Sequence, residues 1–193
     1  MIKDHRPLTI DHRPVRISGF AGSIVYSLLS MVLFASCGYT TRSTLPSTIK
    51  TIHVETFKNN VDFSAEGSRN LYLPLLEIKV RNAVINRFLF DGNLKIAEAD
   101  KADLVLKGQL LSYDRTALRY TDNDDVQEYR IHITVSLEMH NAKKEEIAWK
   151  ESAFVGEATY FVTGALAKSE EAAVEDAITD LARRIVERTV ENW

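Results

Sequence analysis

The sequence predicts an α+β domain built as a two-layer sandwich. A four-stranded mixed sheet carries two helices on one face, in the order β-α-β-β-β-α. Three observations carry this prediction. Residues 126–140 alternate apolar and polar side chains without a break. Residues 169–191 repeat apolar side chains at helical spacing. Residues 74–92 form a second helical stretch between two runs that read as strands.

The first strand is "TIKTIHVETF" (48–57), short, β-branched and bounded by Pro46 and Asn59–Asn60. Residues 58–69 read as loop. "PLLEIKVRNAVINRFLFDG" (74–92) is a helix with Pro74 at its start and Asp91–Gly92 at its end. Lys79, Asn82 and Asn86 share one stripe and apolar residues fill much of the rest, so this helix is expected to be covered on more than one side.

"ADLVLKGQLLSYDR" (102–115) is the next strand. In 126–140, Tyr129, Ile131, Ile133, Val135, Leu137 and Met139 alternate with Arg130, His132, Thr134, Ser136, Glu138 and His140. A period of two puts one set in the core and the other in water. "TDNDD" (121–125) and "NAKKE" (141–145) are turns on either side, and 147–162 pairs back as the last strand. In the final helix Val174, Ala177, Ile178, Leu181 and Ile185 form the apolar stripe, Ser169 caps the start, and Asp180 reaches Arg183 and Arg184.

The N-terminus follows other rules. Lys3, Arg6, Arg13 and Arg16 outweigh Asp4 and Asp11 there, although the whole chain has a formal net charge of −3. An uncharged run from Ile17 to Ser36 follows, and it ends on the small residues Ala35 and Ser36 before Cys37, the one cysteine of the chain. A basic region, an apolar region and small residues before a cleavage point describe a secretory signal. The alternative is a permanent membrane span, for which the run sits near the lower limit of ~20 residues. "FASC" resembles the bacterial lipobox, with Phe34 where leucine is usual, and that resemblance makes Cys37 the acylated first residue of the mature protein. Gly38, by likeness to other lipoproteins, favours the outer membrane over the inner one. The chain thus divides into a signal (1–36), a lipidated cysteine with its polar tether (37–47) and one domain (48–193).

Catalytic patterns are not found. There is no GxSxG elbow, no phosphate-cradling glycine loop and no EF-hand spacing. His132 and His140 stand eight residues apart on one strand, at ~3.4 Å per residue too far to share a metal. Both read as solvated surface residues. Asp122, Asp124 and Asp125 read as a solvated hairpin tip. A single cysteine excludes an internal disulfide, and the net charge gives no reason to expect nucleic acid. The chain reads as a non-enzyme without cofactor or metal. Arg119, before the 121–125 turn, and Lys168, before the last helix, read either as lone surface charges or as cations that pair with phosphates on an anionic lipid or sugar.

Several stretches taken together resemble the LptE family: "CGYTTRSTLPSTIKTIHVETFKNN", "ADLVLKGQLLSYDR", and "EYRIHITVSLEM" followed by "WKESAFVGEATYFV". The resemblance implies a lipoprotein of the cell outer membrane, anchored through Cys37. It implies a position in the lumen of an LptD-type β-barrel, where the pair delivers lipopolysaccharide to the outer leaflet. Arg119 and Lys168 occupy places comparable to those of the family's lipopolysaccharide contacts. A second reading, from another class, is a lipoprotein subunit of a curli-secretion-like oligomeric pore. It requires a further membrane-inserting segment, and none follows Ser36.

Overall fold

Hydrogen bonding and side-chain parity organise the domain around one long hairpin. The computed structural model describes residues 45–62 and 73–191. The expected signal, Cys37 and the tether as far as residue 44 lie outside the described residues, as does the 58–69 loop from residue 63 on.

The elements run β1 (Thr51–Val54), β2 (Lys58–Asn59), α1 (Leu76–Asp91), β3 (Lys95–Ile96), β4 (Leu104–Tyr120), β5 (Val126–Asn141), β6 (Glu146–Phe161) and α2 (Glu170–Glu191). The sheet order is β3-β1-β4-β5-β6, with β2 also pairing β4. β1 lies parallel to β3 and β4, β2 lies parallel to β4, and β4, β5 and β6 form an antiparallel meander. The α+β class is therefore as expected, but the mixed sheet has six strands rather than four. The two additions are two-residue strands held by partners far away in sequence, such as Lys58 opposite Gln109 and Lys95 opposite Thr51.

The core lies between the sheet and the two helices. Ile131, Ile133, Val135, Leu137 and Met139 of β5 are all fully buried. The intervening polar residues of β5 remain partly exposed on the opposite face. Along α2 the predicted stripe of Val174, Ala177, Ile178, Leu181 and Ile185 is buried, and Ser169 Oγ accepts the Ala172 N–H at 3.2 Å as its cap.

α1 departs from expectation. It buries one row, Leu76, Val80, Val84 and Phe88, spaced four residues apart. Leu89 and Phe90 face outward, Phe90 with 81% of its surface exposed, so the helix is covered on one side only. It stops as predicted: Gly92 takes φ 75° and donates its N–H to the Phe88 carbonyl at 3.0 Å. Lys79 Nζ of α1 meets Glu175 Oε1 of α2 at 2.8 Å.

Two glycines allow close packing. A Cβ on Gly108 would stand 2.5 Å from the Phe57 ring, and one on Gly156 would stand 2.4 Å from Leu181 Cβ and 2.7 Å from the Ala177 carbonyl oxygen. Gly108 seats a side chain under the hairpin. Gly156 lets the α2 backbone lie against β6.

The opposite end of the hairpin is knotted by Asp103. Its carboxylate accepts the Lys50 N–H at 2.8 Å and the Thr51 N–H at 3.1 Å, and pairs with Lys143 Nζ at 2.7 Å. The start of β1, the start of β4 and the β5–β6 turn are joined there.

Candidate functional site

Arg119, one of the two cations singled out in the sequence, lies next to the far tip of the hairpin, and Lys168 lies in the connection from β6 to α2. β4 ends at Tyr120, the turn closes with the Thr121 N–H donating to Asp125 O at 2.8 Å, and β5 begins at Val126. Asp124 takes φ 64° in this turn, a backbone that aspartate tolerates.

Arg119 and Lys168 each contact Phe161, the last residue of β6, Arg119 through its ring and Lys168 through its carbonyl. The Arg119 guanidinium lies 5.7 Å from the centre of the Phe161 ring. The Lys168 N–H donates to the Phe161 carbonyl at 3.0 Å. Arg119 Nε stands 3.5 Å from Glu128 Oε2, and the Lys168 ammonium pairs with Asp176. Close in sequence to them, Leu118, Tyr120, Val162 and Leu166 are exposed apolar side chains, the last with 75% of its surface exposed.

Behind the tip lies a polar network that the sequence reading missed. The Tyr113 hydroxyl donates to Glu170 Oε1 at 2.8 Å, the Tyr160 hydroxyl donates to Glu170 Oε2 at 3.4 Å, and Arg115 pairs with the same carboxylate. The Arg115 guanidinium sits 4.6 Å from the Tyr129 ring centre, and Tyr129 stacks on Tyr160 with centroids 5.7 Å apart. Burial, and then the Glu170 carboxylate, push the Tyr113 hydroxyl well above the ordinary tyrosine range. The network fastens the first turn of α2 to the hairpin.

The pleat explains the miss. Leu104, Leu106 and Leu110 face the core at even positions, but the register shifts between Leu110 and Ser112. Beyond that bulge the odd positions Tyr113 and Arg115 turn toward the core face, opposite Ile133 and Ile131. The "LLSY" sequence, where strict alternation fails, is the signal that marks the change.

The histidines differ from the solvated reading. His132 is half-buried, with Nδ1 3.3 Å from Asp114 Oδ1 and Nε2 3.5 Å from Glu157 Oε2, forming a row across three strands. His140 Nε2 lies 3.4 Å from Glu138 Oε2. Among the described residues no group of three or more His, Cys, Asp or Glu is placed to hold a metal, and no helix is long and apolar enough to cross a membrane.

The comparison that decides the family concerns most of the domain. A family model described as "LptE: Lipopolysaccharide-assembly" matches residues 49–189. The chain belongs to the LptE family. No curated protein sequence matches it. Among solved structures, this LptE-family chain is similar to protein XCC0632 from Xanthomonas campestris, with 12% identity and a TM-score of 0.51, over 76% of this chain and 86% of that one. At that identity the likeness shows the fold alone. A PelC dodecamer from Paraburkholderia phytofirmans matches at 14% identity and a TM-score of 0.45, over 79% of this chain and 96% of that one. The rare lipoprotein B from Shewanella oneidensis matches at 18% identity and a TM-score of 0.38, over 71% and 92%.

Proposed function

We propose that this LptE-family chain is an outer-membrane lipoprotein that binds and plugs an LptD-type β-barrel and assists insertion of lipopolysaccharide into the outer leaflet. The family match over residues 49–189 carries this reading. In it the signal is removed ahead of Cys37, and acyl chains on Cys37 hold the protein at ~0.8 kcal/mol per buried CH₂.

Eight residues separate Cys37 from Leu45, and β4, with 17 residues, carries the hairpin tip roughly 55 Å from its Asp103 end at ~3.3 Å each.

The outward face of the meander suits a polar barrel lumen. Asp114, His132 and Glu157 form one charged row, and Glu138 with Lys150 forms another. Arg119 beside the tip and Lys168 before α2 bind phosphates of lipopolysaccharide, and the exposed apolar side chains near them in sequence meet acyl chains. Both cations have carboxylate partners already. The Lys168–Asp176 pair is exposed, and such pairs are worth ~0–1 kcal/mol, so phosphate displaces that carboxylate at little cost. The curli-secretion-like ring gains no support from the family match.

Lipopolysaccharide binding by Arg119→Ala/Lys168→Ala tests the site. Alanine is the cleaner change, because aspartate at these positions would face Glu128 or Asp176. Binding should fall by at least about tenfold, or ~1.4 kcal/mol, with melting temperature nearly unchanged. Unchanged binding removes the tip from the proposal.

A further inference from the structure

β6 is a sheet edge, yet three of its outward backbone groups have partners. The Val162 N–H donates to Gln127 O of β5 at 3.1 Å. Backbone groups alternate sides along a strand, so Val155, Glu157, Thr159 and Phe161 turn theirs away from β5. No further strand pairs with this side of β6. Arg184 Nη1 donates to the Val155 carbonyl. The Glu157 N–H donates to Asp180 Oδ2 at 3.2 Å. The Phe161 carbonyl takes the Lys168 N–H.

Two of these partners belong to one stripe of α2. Asp180, Arg184 and Arg188 follow at four-residue spacing and track β6 downward. The Arg184 guanidinium sits 5.3 Å from the Phe154 ring centre, Arg188 sits 5.1 Å from that of Trp149, and Arg188 Nε lies 3.2 Å from Glu151 Oε1. The absence of a side chain at Gly156 lets the helix come close enough for this stripe to reach over the edge.

The covered segment has its own tendency. "SAFVGEATYF" (152–161) is rich in β-branched and aromatic residues, holds one charge, Glu157, and has no proline. That composition favours pairing between identical segments. Two copies of one edge, related by a two-fold axis, each supply the donors and acceptors the other needs.

We infer that the outer edge of β6 is a strand-pairing surface for a second copy of this chain, held closed by Asp180 and Arg184 of α2. The inference is independent of the barrel and of lipopolysaccharide. It assigns these two side chains part of the work of a neighbouring strand: they satisfy two outward groups of the edge without extending the sheet.

The test is the oligomeric state of the full-length chain in detergent, by light scattering after size exclusion. Asp180→Ala/Arg184→Ala should self-associate at least about tenfold more tightly than the parent chain. Thr159→Pro in that background removes an outward N–H without breaking a bond to β5, and should restore the parent behaviour. A double variant with unchanged circular dichroism that associates no more than the parent overturns the inference, and so does association that Thr159→Pro leaves intact. Should the double variant lose its fold, Asp180→Ala and Arg184→Ala are measured singly. Each should raise association by part of the full effect, and no rise in either overturns the inference.

Discussion

Lys143 Nζ stands 2.7 Å from Asp103 Oδ1, at the end of the domain where the chain enters. The same carboxylate accepts two backbone N–H groups from Lys50 and Thr51. Together, with Lys143 the largest cause, these lower the Asp103 carboxyl from 3.8 to about 2. The folded state therefore holds its proton less tightly than the unfolded chain does. The stability from this knot is complete above the unfolded value and is lost as pH falls toward the folded one. Denaturant unfolding at a series of pH values should show a decline between about pH 4 and pH 2 that is shallower in Asp103→Asn. Above that window Asp103→Asn should cost about 1–3 kcal/mol. Parallel declines in the two proteins would refute the assignment.

Gly156 and Gly108 should respond differently to alanine. At Gly156 the new Cβ meets the helix backbone at Ala177 and Leu181, whereas at Gly108 it meets only the Phe57 ring. Gly156→Ala should cost about 1–3 kcal/mol or more, as overpacking does, and Gly108→Ala less. Thermal unfolding of the two variants reads the order directly, and the reverse order would contradict the close approach of α2 to β6.

Glu170 ties Tyr113, Tyr160 and Arg115 to the first turn of α2. Glu170→Ala should destabilise by about 1–3 kcal/mol, and Tyr113→Phe by about 1 kcal/mol. A double-mutant cycle between them should return a coupling above about 0.5 kcal/mol. Additive losses would show that the network does not act through this carboxylate.

Cys37→Ser should leave the domain folded and abolish acylation. Intact mass measurement distinguishes the two proteins, and a lipid-sized mass on the serine variant would remove Cys37 from its role as anchor.

The sequence reading went furthest where one period runs uninterrupted. Ile131 to Met139 alternate over one face, and Val174 to Ile185 repeat along one helix stripe, so β5 and α2 lie where the pattern places them. β2 and β3 were not legible, because two-residue strands carry no period and exist only through pairing with Gln109 and Thr51. α1 misled because Leu89 and Phe90 raise its apolar content without joining its buried row. Arg119 and Lys168 were picked as separate loop cations. That both residues contact Phe161 depends on where β6 ends and how the following loop returns, which no local pattern encodes. The Tyr113–Arg115–Glu170 network stayed hidden because a bulge reverses the side-chain parity of β4.

Affinity purification of the full-length chain from detergent-solubilised outer membranes tests the central claim most directly, read as the identity and stoichiometry of what stays bound. The account predicts one large β-barrel protein at one-to-one. A homo-oligomeric ring of this chain with no barrel attached would contradict it.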